Sequence, residues 1–134
     1  MVMNDYVYVF TGAFKNRKEA CQYSEPQWEP EPDESVSDEE FEAWEERNPT
    51  WQLRADLKCY LDSDFIETID GKNRFKYLGT MLTKKGDIDR IRASSDKRDN
   101  VLVLIFAAAL GGFAARMRST PRVKYCGKFA CKLE

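Results

Sequence analysis

The feature that most constrains this chain is a run of acidic residues from Glu25 to Glu46. This acidic segment holds eleven of the 23 aspartates and glutamates and contains no lysine or arginine. The rest of the chain therefore carries 12 acidic and 21 basic side chains. Like charges in one block repel each other and resist burial, so such a block is usually a solvated linker or an interaction surface. We expect a basic body that carries an acidic insertion.

The remaining composition is that of a globular protein. Hydrophobic residues make up 43% and aromatic residues 13% of the 134 positions, which predicts a single domain (1–134) with the acidic segment inside it. The longest apolar run, 101–115, is shorter than the roughly 20 residues of a membrane-spanning helix. The first ten residues lack the basic and long apolar regions of a signal peptide. We therefore expect a cytoplasmic protein without a membrane partner.

Cysteine spacing and the absence of histidine limit the chemistry. The four cysteines form no C-x-x-C pair, which argues against a zinc site, and in a reducing compartment we expect free thiols. Without histidine the chain lacks the commonest general base and every Ser–His or Cys–His arrangement. The sequence therefore predicts a protein that is not an enzyme and that holds no cofactor or metal.

Three segments predict strands. The segments 6–14 and 101–106 are rich in β-branched and aromatic residues and apolar on both faces, as in strands inside a sheet. From Val123 to Leu133 apolar residues alternate with lysines, which predicts a strand with Val123, Tyr125, Phe129, Cys131 and Leu133 on its buried face. We predict an α+β fold: a small sheet of about three strands, with helices inserted between the first and second strands that pack on one face.

Two helices have clear start signals. Asn16 with Glu19 three residues later predicts a helix over 17–24. Ser37 and Glu40 form a capping box that predicts a helix from Asp38 to about Arg47, whereas three prolines make the preceding part of the acidic segment extended. The apolar residues of the second helix lie one turn apart, and we expect them to attach it to the body. They are Phe41 and Trp44.

The segment 61–71 predicts another helix, with Phe65, Ile66 and Ile69 as its buried face. Its carboxylates are the best cluster outside the acidic segment: Asp62, Asp64 and Glu67. On a helix the last two of these would share a face and can hold Mg²⁺, which makes a metal-dependent enzyme an alternative. The same residue types cap helix N-termini, and we favour that structural interpretation.

Basic residues near the C-terminus raise the question of nucleic-acid binding. Six of them can follow a phosphate backbone: Arg116, Arg118, Arg122, Lys124, Lys128 and Lys132. However, no aromatic residues are interleaved with them on the predicted wet face, and the acidic segment repels the same ligand. The sequence therefore favours protein recognition, because an acidic surface with tryptophans suits a basic partner.

Several pieces in order along the chain resemble the immunity protein 22 family. They are Gly12-Ala13-Phe14, Asn16-Arg17-Lys18-Glu19-Ala20 with Tyr23, Asp64-Phe65-Ile66-Glu67, Asn100 to Phe106, and Tyr125-Cys126-Gly127-Lys128-Phe129. The resemblance implies a small cytosolic α+β protein of a bacterial polymorphic-toxin system that binds and neutralises a cognate toxin. It implies no particular catalytic or binding residues, and it does not extend to the acidic segment.

Charge and resemblance together predict a toxin-binding surface in the acidic segment. The predicted contact residues are Trp28, Glu34, Asp38, Glu39, Glu42, Trp44, Glu45 and Glu46. The expected partner is a toxin with a basic surface, for example a nuclease, because nuclease sites are basic where they hold phosphate. A general adaptor domain with an unrelated basic partner is the other alternative.

Overall fold

The computed structural model describes residues 5–132, which form an α+β fold as predicted. The strands are β1 (Asp5–Gly12), β2 (Ile66–Asp70), β3 (Val101–Phe106) and β4 (Val123–Cys131). The helices are α1 (Arg17–Ser24), α2 (Asp38–Arg47), α3 (Gln52–Leu57), α4 (Arg74–Gly79) and α5 (Asp87–Ser94), with 3₁₀ turns at Ser63–Phe65 and Ala107–Leu110. In this part of the chain, no helix has the length and apolarity needed to cross a membrane.

The sheet is antiparallel, with strand order β2-β3-β1-β4. The two segments predicted to lie inside the sheet, β1 and β3, are its central pair, with Tyr8 opposite Ile105. Every residue of β3 is buried. A strand that is apolar on both sides needs cover on both faces, and this requirement places β3 at the centre.

Helices cover both faces of the sheet, so the prediction that they pack on one face is wrong. On one face, Phe10 and Val103 pack with α1 and α3. On the other face, Val9 and Leu104 pack with α4 and α5. The physical reason lies in β3, because its six consecutive apolar residues point alternately to opposite sides and each side must leave water.

The segment 66–70, predicted as part of a helix, is the edge strand β2, and this raises the number of strands to four among the described residues. Only the 3₁₀ turn before it is helical. Ile66 and Ile69 are three residues apart, a spacing that suits one helix face but also fits opposite faces of a strand. Pairing with β3 selects the strand, with Ile69 opposite Leu102. This pairing provides hydrogen-bond partners for backbone groups on the edge of β3 that would otherwise have none.

The last predicted strand forms, but its single buried face does not. A β-bulge shifts the register of β4 against β1 between Val9 and Phe10. As a result Val123 joins the core on the α1–α3 face, whereas Phe129 and Cys131 join the core on the opposite face. One extra residue in a strand reverses the pleat, so a sequence that alternates without interruption changes sides. Leu133, which was assigned to the same face, lies outside the described residues.

The two capped helices form within the predicted bounds. The Asn16 side chain accepts a hydrogen bond from the Glu19 amide at 2.9 Å, and Ser37 Oγ accepts one from the Glu40 amide at 3.2 Å. These local bonds satisfy amides that have no partner inside the helix, which is why the sequence alone located both starts. The cysteines are free thiols, as predicted: Cys21, Cys59, Cys126 and Cys131.

Candidate protein-binding surface

Most of the acidic segment forms an excursion from the body that we call the acidic arm, residues 28–49. A two-residue antiparallel bridge closes the arm at its base, where the Gln27 amide donates to the Thr50 carbonyl at 2.7 Å and the Thr50 amide donates back at 2.9 Å. The arm contains α2, of which no residue is buried. The chain therefore leaves and re-enters the body at one point, between α1 and α3.

The aromatic residues of the arm pack on one another. The ring centroid of Trp44 lies 5.7 Å from that of Phe41 and 6.0 Å from that of Trp28. Neither Phe41 nor Trp44 belongs to the two core clusters of the body, so the prediction that they attach α2 to the body is wrong. The start of the arm folds back and places Trp28 over the apolar stripe of α2. Trp28 itself remains 62% exposed.

A polar network fixes the two ends of the arm to each other. The Asn48 side chain accepts a hydrogen bond from the Glu29 amide and donates one to the Trp44 carbonyl, both at 2.8 Å. Arg47 Nε reaches both carboxylate oxygens of Glu29, at 2.9 and 3.1 Å. The Trp44 indole N–H donates to the Glu29 carbonyl at 3.3 Å. These bonds give the arm a defined shape without a buried core of its own.

Sequence reasoning missed the network because it depends on contacts between residues 15 to 19 apart. Asn48 precedes Pro49 and follows the last residue of α2. A helix-terminating Asn is common, and nothing in the local pattern indicates that its side chain reaches back to the start of the arm.

The structure brings the predicted contact residues together on the arm. Glu34 lies in the turn before α2, and Trp28 and Trp44 belong to the aromatic cluster; the remaining five lie along α2. At 100° per residue, Glu39, Glu42 and Glu46 form a ridge on the side of α2 opposite the aromatic stripe. Asp38 and Glu45 flank this ridge. The arrangement is a solvent-facing row of carboxylates on a rigid helix.

Charge on the arm is not neutralised locally. The arm contains ten carboxylates and one basic residue, Arg47. Within residues 5–132, only one ion pair includes a carboxylate of the arm, the pair between Glu29 and Arg47. The other arm carboxylates form none in this part of the chain, although the body is basic. Nine carboxylates therefore face solvent without a cationic partner, which leaves a strong negative field around the arm.

Two of the three carboxylates predicted as a metal-binding alternative accept hydrogen bonds within the protein. Asp62 Oδ1 accepts from the Asp64 amide at 3.0 Å and caps the 3₁₀ turn, in line with the capping interpretation. Glu67 lies on strand β2, not on a helix face shared with Asp64, and accepts a hydrogen bond from the Tyr77 hydroxyl at 2.8 Å. Among the described residues, no three His, Cys, Asp or Glu side chains gather closely enough to hold a metal ion.

The basic residues near the C-terminus do not form one continuous row. The bulge in β4 separates Lys124, whose ammonium donates to the Ser94 carbonyl at 3.0 Å, from Lys128, which lies 4.0 Å from the ring centroid of Tyr6. Arg122 pairs with Glu19 at 3.0 Å and lies over the ring of Phe14. These cations are dispersed over different faces, so they offer no single track for a phosphate backbone.

Comparisons with protein-family models, with curated proteins and with solved structures find no match to this chain.

Proposed function

We propose that this protein is a non-enzymatic immunity protein that acts in the bacterial cytoplasm by binding a cognate toxin through its acidic arm. The observation that carries the proposal is the set of nine arm carboxylates that have no ion-pair partner among residues 5–132, on an arm that is closed at its base. Self-repulsion among these groups disfavours their close spacing, and a basic partner would relieve it. The resemblance of the strand and helix segments to the immunity protein 22 family supports the same assignment.

The geometry of the arm suits a protein interface. Glu39, Glu42 and Glu46 lie on consecutive turns of α2, so their carboxylates are held by one rigid element rather than by flexible loops. Trp28, with 62% of its surface exposed, adds a large apolar side chain beside the charges. Tryptophans are common anchors of interfaces, while surrounding charges steer the encounter of the partners.

A nuclease is the toxin class that this surface fits best. A nuclease binds the phosphates of its substrate through basic side chains, and a row of carboxylates can occupy the same basic cleft. Binding there would block the substrate directly. A general adaptor with an unrelated basic partner would use the same surface, and the presence of a toxin gene beside the gene for this protein distinguishes the two functions.

The test is to mix the purified protein with the toxin encoded by the adjacent gene and to measure complex formation and toxin activity. The variant Glu42→Lys/Glu46→Lys should lower the association rate constant at least about tenfold at low salt, because steering depends on the field of the arm. A matched control, Asp64→Lys/Asp96→Lys, changes the net charge equally on exposed body residues and should retain most of the rate. Equal losses in both variants would remove the arm from the interface, and absence of binding at low salt would refute the function.

A further inference from the structure

A cleft in the body, next to the base of the arm, has the opposite charge. Its volume is about 510 Å³, and its lining includes Trp51, Arg54, Ala55, Lys58 and Tyr60. None of the described residues that line it is acidic. The cleft is open to solvent, and Arg54, Lys58 and Tyr60 in its lining are exposed.

Helix α3 builds the floor of the cleft. Its other side places Leu53 and Leu57 in the core of the body, so Arg54 faces outward. Lys58 follows directly after the helix, and both cations line the cleft. The acidic residue of α3, Asp56, is turned away and accepts hydrogen bonds from Tyr23 Oη and Gln52 Nε2, each at 2.8 Å. Two like charges therefore lie side by side on the cleft, and within residues 5–132 neither has an ion-pair partner.

Lys58 occupies a backbone conformation that favours another residue. It ends α3 with φ 55°, in the left-handed region where glycine is the common choice because a Cβ atom is unfavourable there. It is the one non-glycine residue with positive φ in the described chain. A lysine at this position costs backbone conformational energy that glycine would avoid, and residues with such backbone angles are enriched at ligand sites.

A third cation lies close by. Arg118 Nη2 donates to the Asp56 carbonyl at 3.0 Å, which holds its guanidinium near the C-terminal half of α3. Burial raises the pKa of the Cys59 thiol, and the nearby Arg54 and Arg118 guanidiniums oppose that increase. Arg54 lines the cleft and Arg118 is bound to the backbone of α3, so a further positive charge lies beside the helix that builds the cleft.

Aromatic rings lie beside these cations. The Trp51 indole N–H donates to the Ser24 carbonyl at 2.8 Å, which holds the ring in place while part of it lines the cleft. Tyr60 is 46% exposed, and its ring centroid is 5.5 Å from that of Phe113. Cations bind phosphate oxygens and exposed aromatic faces stack with bases, so the cleft combines the contacts that a nucleotide needs.

We propose that this cleft binds a mononucleotide, with its phosphates on Arg54 and Lys58 and its base against Trp51 or Tyr60. The site adjoins the base of the acidic arm, whose Pro49 contributes to its lining, and the proposal does not depend on toxin binding.

The experiment is a titration of the 134-residue protein with ADP, pyrophosphate and adenosine. Binding is monitored by calorimetry and by the indole N–H signals in ¹H–¹⁵N NMR spectra. ADP should shift the Trp51 signal and leave those of Trp28 and Trp44 in place. Pyrophosphate should bind more weakly than ADP, and adenosine should bind more weakly still. Arg54→Gln should weaken ADP binding about tenfold or more, since it removes a charge-assisted contact.

Lys58→Gly is the most informative variant, because it removes the cation and also removes the steric strain of a side chain at positive φ. It should weaken ADP binding about tenfold while the urea midpoint stays equal or rises. Lys76→Ala, on α4 at the other face of the sheet, is the matched control and should leave affinity unchanged. The proposal is overturned if ADP causes no Trp51 shift at millimolar concentration, if adenosine binds as tightly as ADP, or if Arg54→Gln has no effect. Tighter binding of a hexaglutamate peptide than of ADP would also overturn it and assign the cleft to an acidic peptide.

Discussion

The acidic arm and the body are held together by different forces. In the body, all six residues of β3 are buried between two layers of helices. In the arm, no residue of α2 is buried, and its shape depends on three aromatic rings and the hydrogen bonds of Asn48. Burial of apolar area dominates folding stability, whereas exposed polar contacts contribute little each.

The two regions meet two requirements that one surface cannot meet together: carboxylates must stay solvated, and apolar side chains must be buried. A dense row of carboxylates is compatible with folding only where water still solvates it, because an unpaired charge inside a core is very costly. By placing the carboxylates on an arm that closes on itself, the chain keeps its charge away from the two-sided core. The arm can therefore vary in sequence without disturbing the sheet.

The largest expected contrast comes from truncating one large apolar side chain in each region. Ile105→Ala in β3 should lower the free energy of unfolding by about 2–5 kcal/mol, because the residue is fully buried and leaves a cavity. Trp44→Ala in the arm should cost less than about 1 kcal/mol in the same urea titration, since Trp44 is not part of the core. Similar costs would show that arm and body unfold as one unit.

Removal of the Asn48 side chain should loosen the arm alone. Asn48→Ala leaves the Glu29 amide and the Trp44 carbonyl without their partner, at a local cost of about 1–3 kcal/mol. Amide exchange in α2 should accelerate roughly tenfold to a hundredfold while exchange in β3 is unchanged. Asn73→Ala is the control, because the Asn73 side chain makes no capping hydrogen bond at the start of α4. Acceleration in β3 as well would contradict the separation of the two regions.

Alkaline pH should destabilise the body through its buried thiols. Burial raises the pKa of Cys126 from its ordinary value of 9.0 to about 11. In the unfolded chain the thiol loses its proton at a lower pH than in the folded protein. The contribution of Cys126 to the free energy of unfolding is therefore fully present below pH 9 and is lost as the pH rises through 11. We expect the free energy of unfolding, measured by urea titration, to fall by about 1 kcal/mol. This is less than the full pKa shift implies, because the thiol retains solvent contact. Cys126→Ser should reduce the decrease of the free energy of unfolding between pH 9 and pH 11. An unchanged decrease would show that Cys126 is not its source.

The smallest effect is expected from the ion pair inside the arm. Arg47 and Glu29 have about half of their side chains exposed, 54% and 49%, so water screens their attraction. Arg47→Gln should therefore cost less than about 1 kcal/mol, well below the effect of Asn48→Ala. A double-mutant cycle with Glu29→Gln measures the coupling, and a value above 2 kcal/mol would show that the pair is central to the shape of the arm.

Predictions from the sequence are correct where a feature depends on residues close together along the chain. Asn16 and Ser37 located α1 and α2 because a capping side chain bonds to an amide only three residues away. The apolar character of β1 and β3 predicted their central positions, because any segment without a polar side must be covered on both sides. The choice of the acidic segment and its two tryptophans as the candidate site stays a prediction.

Errors arose wherever two distant segments decide the outcome. The spacing of Ile66 and Ile69 is compatible with a helix or a strand, and the open edge of β3 selects the strand. The alternation in β4 is continuous, yet the bulge against β1 sends its two halves to opposite faces. Likewise, Phe41 and Trp44 form an apolar stripe whose partner is Trp28 rather than the body.

By itself, then, the sequence determined that a basic α+β body carries an acidic helical insertion with defined helix starts. Only the tertiary structure decided that this insertion closes on itself through Asn48 and that the carboxylates of α2 remain solvated. The physical reason is the range of the interactions. Caps and charge density depend on neighbours along the chain, whereas sheet edges, bulges and the partners of an apolar stripe depend on which distant segments meet in space.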